Sequence, residues 1–267
     1  MKRTLILISA ILAMAPLLLV NPATAASVLD RIVQKGELVV GLTGTQPPLN
    51  VKTRDGDIIG LDADLARMMA AAMGVKVRFQ TMAFADLLSA LETQKVDVVL
   101  SSMTMTPDRN LSVAFVGPYF ISGKGILTKT RNIAALQSAE GLNKAEFSIA
   151  ALKESTSELF VRKTAPKANL VTVSSYNEAL EKLFADDIDA LVADYPYCAV
   201  AAFRHQDRGL VAGESRLTFE PLGIGIPADT LMINWVQNFL NLVRGSGELE
   251  TATKRWFDDP SWIRSLP

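Results

Sequence analysis

The sequence predicts an α/β protein of two doubly wound lobes that are joined by a two-strand hinge. Short apolar runs alternate with amphipathic helical segments between residues 37 and 109, and the same alternation returns between residues 147 and 194. Such alternation with short connections is typical of parallel, doubly wound sheets. Extended, turn-rich sequence separates the two series, and another extended segment follows the second. A chain that crosses to a second lobe and returns has two hinge strands, which suits closure around a ligand.

The first series contains three predicted strands and three predicted helices. The strands span residues 37–41, 75–79 and 96–100, and the helices span residues 27–35, 64–73 and 84–91. Gly74 follows the second helix and is a typical C-cap residue. The order strand, helix, strand, helix, strand predicts a parallel sheet.

The second series repeats this order. Its predicted strands span residues 147–152, 170–173 and 188–193, and its helices open at Ser155 and at Tyr176. Ser155 and Glu158 have the spacing of a capping box, in which two side chains satisfy main-chain N–H groups at a helix start. Extended sequence at residues 220–227 and helices at residues 231–243 and 248–256 complete the chain.

The N-terminal segment is predicted to be an export signal. Lys2 and Arg3 precede an apolar run at residues 5–20, and Ala23-Thr24-Ala25 is a small-x-small cleavage pattern. The apolar run is short for a membrane span. We therefore predict a signal peptide at residues 1–25, a discontinuous first lobe at residues 26–126 plus 217–267, and a second lobe at residues 127–216.

The composition argues against several classes of function. Lysine and arginine number 27 against 28 acidic residues, so no nucleic-acid surface is predicted. Cys198 is the only cysteine, which excludes an intrachain disulfide and favours a small buried apolar residue. His205 is the only histidine, and neither a metal-ligand cluster nor a histidine-based triad accompanies it. We expect no metal and no cofactor.

The third predicted strand ends in an unusual polar stretch. Ser101, Ser102 and Thr104 follow it, and Thr106-Pro107 has the pattern of a helix N-cap and first turn, which places Arg109 at a helix start. A cation there is unfavourable unless an anion faces it. Free N–H groups, hydroxyls and a guanidinium would together bind a carboxylate or phosphate. The alternative is an exposed helix start whose arginine pairs with a nearby acid.

An internal repeat suggests a partner for this stretch. Leu91 precedes Asp97 by six residues, as Leu183 precedes Asp189, and the two strands then end at Ser102 and Asp194. Ligands bind beyond the C-terminal ends of such strands, so the two ends would meet across a cleft. The alternative for Asp194 is a solvated strand end or a helix cap.

With these segments in place, the chain resembles the periplasmic solute-binding proteins of polar amino-acid ABC importers, the type II, bacterial family 3 class. The matching residues are Gly36-Glu37-Leu38-Val39-Val40-Gly41, Asp55-Gly56, Gly60-Leu61-Asp62-Ala63-Asp64-Leu65-Ala66, the segment from Asp97 to Arg109, Pro118-Tyr119, Ser155-Thr156, Asp189-Ala190 and Asp194. Their order spans nearly the whole mature chain.

The resemblance implies a periplasmic, monomeric, non-enzymatic protein that holds a free amino acid between its lobes and delivers it to an ABC permease of the inner membrane. It implies that Arg109, with Ser102 and Thr104, holds the ligand's α-carboxylate and that Asp194 receives the α-ammonium. The further residues expected at the ligand are Ser101, Ser155, Thr156, the apolar wall Phe84, and Gln46 and Glu154.

Four departures from the family's pattern bear on specificity. Gln46 and Leu49 stand where aromatic residues are usual, which weakens one stacking wall. Glu154 replaces a common glycine, and its carboxylate either reaches the cleft, where it would favour a cationic or amide side chain, or points to solvent. Thr43 stands where several members carry an acid, which argues against arginine or lysine as ligand.

Two other functions are compatible with the sequence. The fold also resembles that of secreted cyclohexadienyl dehydratases, which act on prephenate or arogenate and need a general acid. Glu154, Lys124 and His205 are the candidates for that acid, and no spacing supports them. A ligand sensor that feeds a separate membrane receptor is the remaining alternative.

Overall fold

Two mixed sheets of five strands each form the framework of the protein in a computed structural model that describes residues 27–136, 139–214 and 216–267. The predicted export signal lies outside these ranges. Within them, no helix is long and apolar enough to cross a membrane.

The strands are β1 (Glu37–Leu42), β2 (Thr45–Gln46), β3 (Asn50–Lys52), β4 (Ile58–Ile59), β5 (Lys76–Thr81), β6 (Val98–Val99), β7 (Ala114–Ser122), β8 (Lys124–Lys129), β9 (Ser148–Leu152), β10 (Asn169–Val173), β11 (Ala190–Asp194), β12 (Leu210–Ala212) and β13 (Glu220–Ile226). The helices are α1 (Val28–Lys35), α2 (Leu61–Met73), α3 (Leu87–Glu92), α4 (Ile133–Leu136), α5 (Ala139–Leu142), α6 (Thr156–Thr164), α7 (Tyr176–Phe184), α8 (Tyr195–Arg204), α9 (Thr230–Gly245) and α10 (Glu248–Phe257).

The two sheets follow the same plan, as the doubly wound prediction requires. The first has the order β5-β1-β6-β13-β7, and the second has the order β10-β9-β11-β8-β12. In each sheet the first three strands are parallel. The fourth strand is antiparallel to both of its neighbours. We call the first sheet with its helices the first lobe and the second sheet with α4–α8 the second lobe.

The sequence repeat has a direct structural counterpart. The Asp97 carboxylate accepts a hydrogen bond of 2.8 Å from the Val39 N–H, and the Asp189 carboxylate accepts one of 2.9 Å from the Ser148 N–H. Each aspartate therefore covers the start of the parallel strand beside its own. The repeat is confirmed, and it places the ends of β6 and β11 at equivalent points of the two lobes.

The chain crosses between the lobes twice. It leaves the first sheet at the end of β7 and enters the second at β8, with only Gly123 between, and it returns to the first sheet between β12 and β13. A Cβ at Gly123 would lie 2.3 Å from the Thr218 carbonyl oxygen, so the two crossings touch at this point. Because β8 lies wholly in the second sheet, the predicted boundary between residues 126 and 127 falls inside a strand.

Apolar contacts also join the lobes. One buried cluster contains Phe84 and Leu87 of the first lobe together with Tyr176 and Tyr197 of the second. The two tyrosine rings stack at 4.1 Å between centroids. Both tyrosines belong to the second lobe, and the cluster around them continues across the interface to Phe84 and Leu87.

A second interlobe contact region lies beside the C-terminal helices. It is a groove of about 360 Å³ lined by Phe120, Trp256 and Trp262 of the first lobe and by Tyr195 and Pro196 at the start of α8. Trp256 is only 4% exposed, as expected of a packing residue.

Candidate functional site

The polar stretch after β6 turns sharply before it reaches Arg109. Ser102 adopts a left-handed backbone conformation with φ of 51°, and its N–H donates to the Asp62 carboxylate at 3.0 Å. The Ser102 hydroxyl oxygen is buried and has no hydrogen-bond partner among the described residues. A buried hydroxyl without a partner is costly, so it is a candidate for contact with a ligand.

Arg109 lies at the start of the predicted helix, which is a single turn of 3-10 helix, Arg109–Leu111. Thr106 still acts as expected, because its hydroxyl accepts a 3.3 Å hydrogen bond from the Arg109 N–H. A longer helix cannot form, since the chain must enter β7 only three residues after this turn. The predicted helix start is therefore present, and the helix it opens is a single 3-10 turn.

The Arg109 guanidinium spans the interface between the lobes. It donates to the Thr104 carbonyl at 2.8 Å in its own lobe and to the Glu154 carbonyl at 3.1 Å in the second lobe. Its central carbon lies 5.5 Å from the centroid of the Phe84 ring. Burial lowers the pKa of Arg109, and the negative charges of Glu220 and Asp194 oppose that shift. The guanidinium is therefore a cation that both lobes contact.

Glu154 contributes its main chain rather than its side chain. Its backbone is left-handed with φ of 59°, and its carbonyl accepts the hydrogen bond from Arg109. The carboxylate is exposed. Of the two alternatives left open by the sequence, the structure therefore has the one in which the carboxylate points to solvent.

The start of α6 differs in one detail from the predicted capping box. The Ser155 hydroxyl accepts from the Glu158 N–H at 3.2 Å, as expected. The Glu158 carboxylate, however, accepts from the Glu154 N–H at 2.7 Å, one residue before the cap. The reason is that the Ser155 N–H already donates to the Leu152 carbonyl. Ser155 is thus a structural cap, and Thr156 is the hydroxyl of this turn that reaches the first lobe.

Two threonine hydroxyls from opposite lobes meet at one carboxylate. Thr104 donates to Glu220 Oε2 at 2.8 Å, Thr156 donates to the same oxygen at 3.0 Å, and the two hydroxyl oxygens are 3.4 Å apart. Burial disfavours ionisation of Glu220, but the Lys124 ammonium and the threonine hydroxyls outweigh this effect, so the pKa of Glu220 lies below its usual value. Glu220 is a site residue that the sequence reasoning missed.

Asp194 has a lysine partner. At the end of β11 its carboxylate accepts a 2.7 Å hydrogen bond from the Lys124 ammonium. The same ammonium lies 3.6 Å from the Glu220 carboxylate. Asp194 precedes α8 in the N-cap position, but its side chain makes no capping hydrogen bond. The helix-cap alternative for this side chain is therefore wrong, and its partner is a cation from the neighbouring strand.

Gln46 and Ser101 belong to a polar network on the first lobe. Gln46 Oε1 accepts from the Ser101 hydroxyl at 2.9 Å and from the Thr43 hydroxyl at 3.0 Å. Asn50 links this group to Asp62 through a 2.7 Å hydrogen bond from its amide. The predicted residues Gln46 and Ser101 are thus brought together, although no hydrogen bond joins them to Arg109 among the described residues.

Asp62 is the buried centre of this network. It accepts hydrogen bonds from the Tyr119 hydroxyl at 2.7 Å, the Asn50 amide and the Ser102 N–H. Burial raises the pKa of Asp62 to about 6, although these three hydrogen bonds lower it. The carboxylate fixes the left-handed turn at Ser102 and through it the direction of the stretch that leads to Arg109.

This raised pKa predicts a pH dependence of stability. Asp62 binds its proton more tightly in the folded protein than in the unfolded chain, so its contribution to the free energy of unfolding falls as the pH rises from about 4 to about 6. Across this range, the free energy of unfolding of the wild type minus that of Asp62→Asn should fall by on the order of 2–3 kcal/mol. Urea unfolding at a series of pH values measures it, and a difference that stays constant with pH would contradict the assignment.

A second groove, of about 380 Å³, opens between the lobes beside this network. Thr43 and Thr81 of the first lobe and Asn177, Tyr197 and Arg204 of the second are among its lining residues. Because Thr43 also bonds to Gln46, the groove borders the polar network. Arg109 and Asp194 are not part of its lining.

Comparison with known sequences identifies relatives along nearly the whole chain. A profile of the bacterial extracellular solute-binding proteins, family 3, matches residues 38–259. The L-cystine-binding protein TcyJ of Escherichia coli is 23% identical over 230 residues, which are 86% of this chain and 85% of that protein. A cyclohexadienyl dehydratase of Pseudomonas aeruginosa is 22% identical over 252 residues, 94% of each chain.

Solved structures share both lobes. The ancestral amino acid-binding protein AncCDT-1, described as a precursor of cyclohexadienyl dehydratase, is 34% identical with a TM-score of 0.79 and covers 86% of this chain and 100% of that chain. A structure from Wolinella succinogenes, described as a binding component of an ABC transporter complexed with lysine, is 32% identical with a TM-score of 0.81 and covers 86% of this chain and 99% of that chain. Since the family profile runs from β1 to the end of α10, this chain belongs to the bacterial extracellular solute-binding proteins of family 3.

Proposed function

We propose that this protein binds a free amino acid between its lobes and delivers it to an ABC permease. The observation that carries the proposal is that both lobes supply a charged side chain near their matching strand ends: the cation Arg109 follows the stretch after β6, and the anion Asp194 ends β11. A zwitterion needs one of each, and both charges are costly to bury unless something compensates them. Thr104 and Thr156 add hydroxyls from the two lobes between them.

The carboxylate end of the ligand is assigned to Arg109, Ser102 and Thr104. A guanidinium has five N–H donors in a fixed fork, and the described residues accept from two of its terminal N–H groups. Planar, bidentate recognition of a carboxylate is the contact for which arginine is best suited. The buried Ser102 hydroxyl supplies a further donor on the same side.

The ammonium end is assigned to Asp194, and the side chain of the ligand to the surface formed by Gln46, Phe84 and Tyr176. Gln46 offers amide groups, and the two rings offer apolar faces, so a polar or amphipathic amino acid fits this surface better than a purely aliphatic one. The relatives bind a similar range, since one is named for L-cystine and another was crystallised with lysine.

Delivery to a permease and export through a cleaved signal peptide are proposed from the family and the N-terminal sequence. Ligand binding would favour the closed form only by the difference in affinity between the open and closed forms. A monomer is sufficient for this mechanism, because all the residues invoked belong to one chain.

A thermal-shift screen of amino acids tests the proposal. Ligand at 100 times its dissociation constant should stabilise the folded protein by about 2.7 kcal/mol. For a chain of this size the midpoint of unfolding would rise by about 5–10 °C. The screen should include L-cystine, L-glutamine, L-arginine and L-lysine. Arginine and lysine are included because Thr43 argues against a cationic ligand, whereas the relative crystallised with lysine argues for one. No shift with any amino acid would contradict amino-acid binding.

A dehydratase activity is the second candidate, because a cyclohexadienyl dehydratase matches 94% of this chain. Of the three candidate acids, Glu154 has an exposed carboxylate, His205 is half-buried in the lining of the 380 Å³ groove, and Lys124 alone pairs with Asp194. The Lys124 ammonium already forms ion pairs with the Asp194 and Glu220 carboxylates. We therefore expect no phenylpyruvate when the protein is incubated with prephenate, and formation above the uncatalysed rate would favour the enzyme instead.

A further inference from the structure

We propose that Lys124 and Glu220 together form a built-in mimic of the ligand's zwitterion, which an amino acid must displace to bind. The inference rests on the proposed function, because it concerns the groups assigned there to the ligand's carboxylate and ammonium. It makes Lys124 and Glu220 determinants of affinity rather than direct ligand contacts.

The ammonium half of the mimic is Lys124. Antiparallel pairing places Lys124 opposite Asp194 on the neighbouring strand, and the two side chains meet at 2.7 Å. Lys124 is 2% exposed and Asp194 is 5% exposed. An ammonium buried against this carboxylate makes the contact that the ligand's α-ammonium would make.

The carboxylate half is Glu220. Its Oε2 accepts hydrogen bonds from Thr104, which is assigned to the ligand's carboxylate end, and from Thr156, whose hydroxyl faces Thr104 from the second lobe. Its other oxygen accepts from Thr218 at 2.9 Å, which fixes the side chain at the return crossing between the lobes. Glu220 is 7% exposed, so this carboxylate is largely removed from water.

The two halves are spaced like the charged groups of an amino acid. Lys124 Nζ and Glu220 Oε2 are 3.6 Å apart, with the ammonium on one lobe and the carboxylate on the other. The pair therefore links the lobes through three groups that would also contact the ligand, Asp194, Thr104 and Thr156. Breaking a buried pair without replacement is strongly unfavourable, so the exchange must keep every charge compensated.

A ligand zwitterion allows such an exchange. The ligand's ammonium would bind Asp194 while the Lys124 ammonium moves fully to the Glu220 carboxylate. The ligand's carboxylate would bind Arg109 and the two threonine hydroxyls while the Glu220 carboxylate turns to Lys124. Each buried charge keeps a partner throughout. The affinity measured for the ligand then contains the cost of separating Lys124 from Asp194, and removing Lys124 should remove that cost.

The test is titration calorimetry with L-glutamine, L-lysine and L-arginine on the wild type and on Lys124→Met. Lys124→Met should bind the tightest of these probes at least about tenfold more tightly, because Asp194 is then free for the ligand's ammonium. Lys124→Arg, which keeps the cation, should stay close to the wild type. Lys129→Met is the matched control, since Lys129 lies on the same strand but pairs with Asp186 at a partly exposed position.

Small-angle scattering without any added amino acid provides an independent measurement. Without Lys124 the carboxylates of Asp194 and Glu220 lose their shared partner, so the lobes should separate and the radius of gyration of Lys124→Met should increase. Lys129→Met should scatter like the wild type. If Lys124→Met does not fold, as judged by circular dichroism, Lys124→Gln takes its place because it can still donate to Asp194 without a charge.

The outcomes separate this inference from the proposed function. Unchanged binding by Lys124→Met overturns the mimic. Weaker binding also overturns it, because it would make Lys124 a direct ligand contact. Failure of every variant to bind any amino acid contradicts the proposed function and the mimic with it. Where the wild type binds an amino acid, an unchanged affinity and radius in Lys124→Met overturn the mimic alone. Binding by Lys124→Met but not by the wild type supports both.

Discussion

Arg109→Met should lower the affinity for an amino acid at least about 100-fold. Charge-assisted, bidentate hydrogen bonds to a carboxylate are among the strongest that a side chain makes, and truncating one partner of a buried charged contact costs about 2–5 kcal/mol. The variant also loses the hydrogen bonds from Arg109 to the Thr104 and Glu154 carbonyls, one in each lobe. Calorimetry on the amino acid identified by thermal shift measures the loss.

Arg78→Met is the control for this variant. Arg78 lies in the first lobe, is half-exposed and pairs with Glu37 at 2.9 Å. Exposed pairs of this kind contribute about 1 kcal/mol or less, so its removal should leave both folding and affinity nearly unchanged. Retention of wild-type affinity by Arg109→Met, within a factor of about three, would remove Arg109 from the site.

Gly60→Ala should destabilise the protein by about 3–5 kcal/mol, near the upper end for a single substitution. Gly60 has φ of 123°, and a Cβ there would lie 2.2 Å from the Leu49 carbonyl oxygen. That oxygen accepts the N–H of Asp62 and belongs to the backbone, so it cannot turn away as a flexible side chain could. Urea unfolding measures the change.

Gly74→Ala separates steric clash from backbone strain. Gly74 has a left-handed φ of 69°, but nothing lies within 4 Å of the position that a Cβ would take. Its substitution should therefore cost only about 1 kcal/mol, the cost of the backbone conformation. Similar losses in the two variants would mean that the contact with Leu49 is relieved without difficulty.

The consequence of Gly60→Ala should extend to the site. A shift of Leu49 would carry Asn50 with it, and Asn50 holds the Asp62 carboxylate that fixes the turn at Ser102. We therefore expect weaker amino-acid binding even under conditions in which Gly60→Ala remains folded.

Much of the fold was predictable because its pattern is local. Apolar runs next to amphipathic segments predicted strands and helices, and helix α7 opens at Tyr176 as predicted. The six-residue spacing from Leu91 to Asp97 and from Leu183 to Asp189 predicted equivalent strand ends, and the two aspartates make the same contact in both lobes. Local periodicity and a repeated spacing are properties that a single sequence contains.

The Lys124–Asp194–Glu220 cluster could not be predicted in the same way. Its partners lie far apart along the chain and meet only through strand register, which places Asp194 opposite Lys124. A charged residue at the start of an extended segment normally indicates a solvated strand end. The available signal was that Lys124 lies within one of the two predicted extended segments that connect the lobes and that Glu220 opens the other.

Glu154 illustrates a second limit. Its residue type drew attention to the carboxylate, but the left-handed backbone turns the carbonyl toward Arg109 and leaves the carboxylate in solvent. The residue identity at such a position says little about which of its oxygens is used. Backbone direction depends on how the preceding strand meets α6, and no side-chain pattern contains that information.

The groove beside the C-terminal helices gives the chain an optical reporter of its own. Trp256 and Trp262 lie on the first lobe against Pro196 of the second. Separation of the lobes would bring water to these indole rings and shift their fluorescence emission to longer wavelength, whereas closure would shift it back. Opening and closing of the lobes should therefore be measurable in real time, without any label, from the intrinsic fluorescence of these two tryptophans.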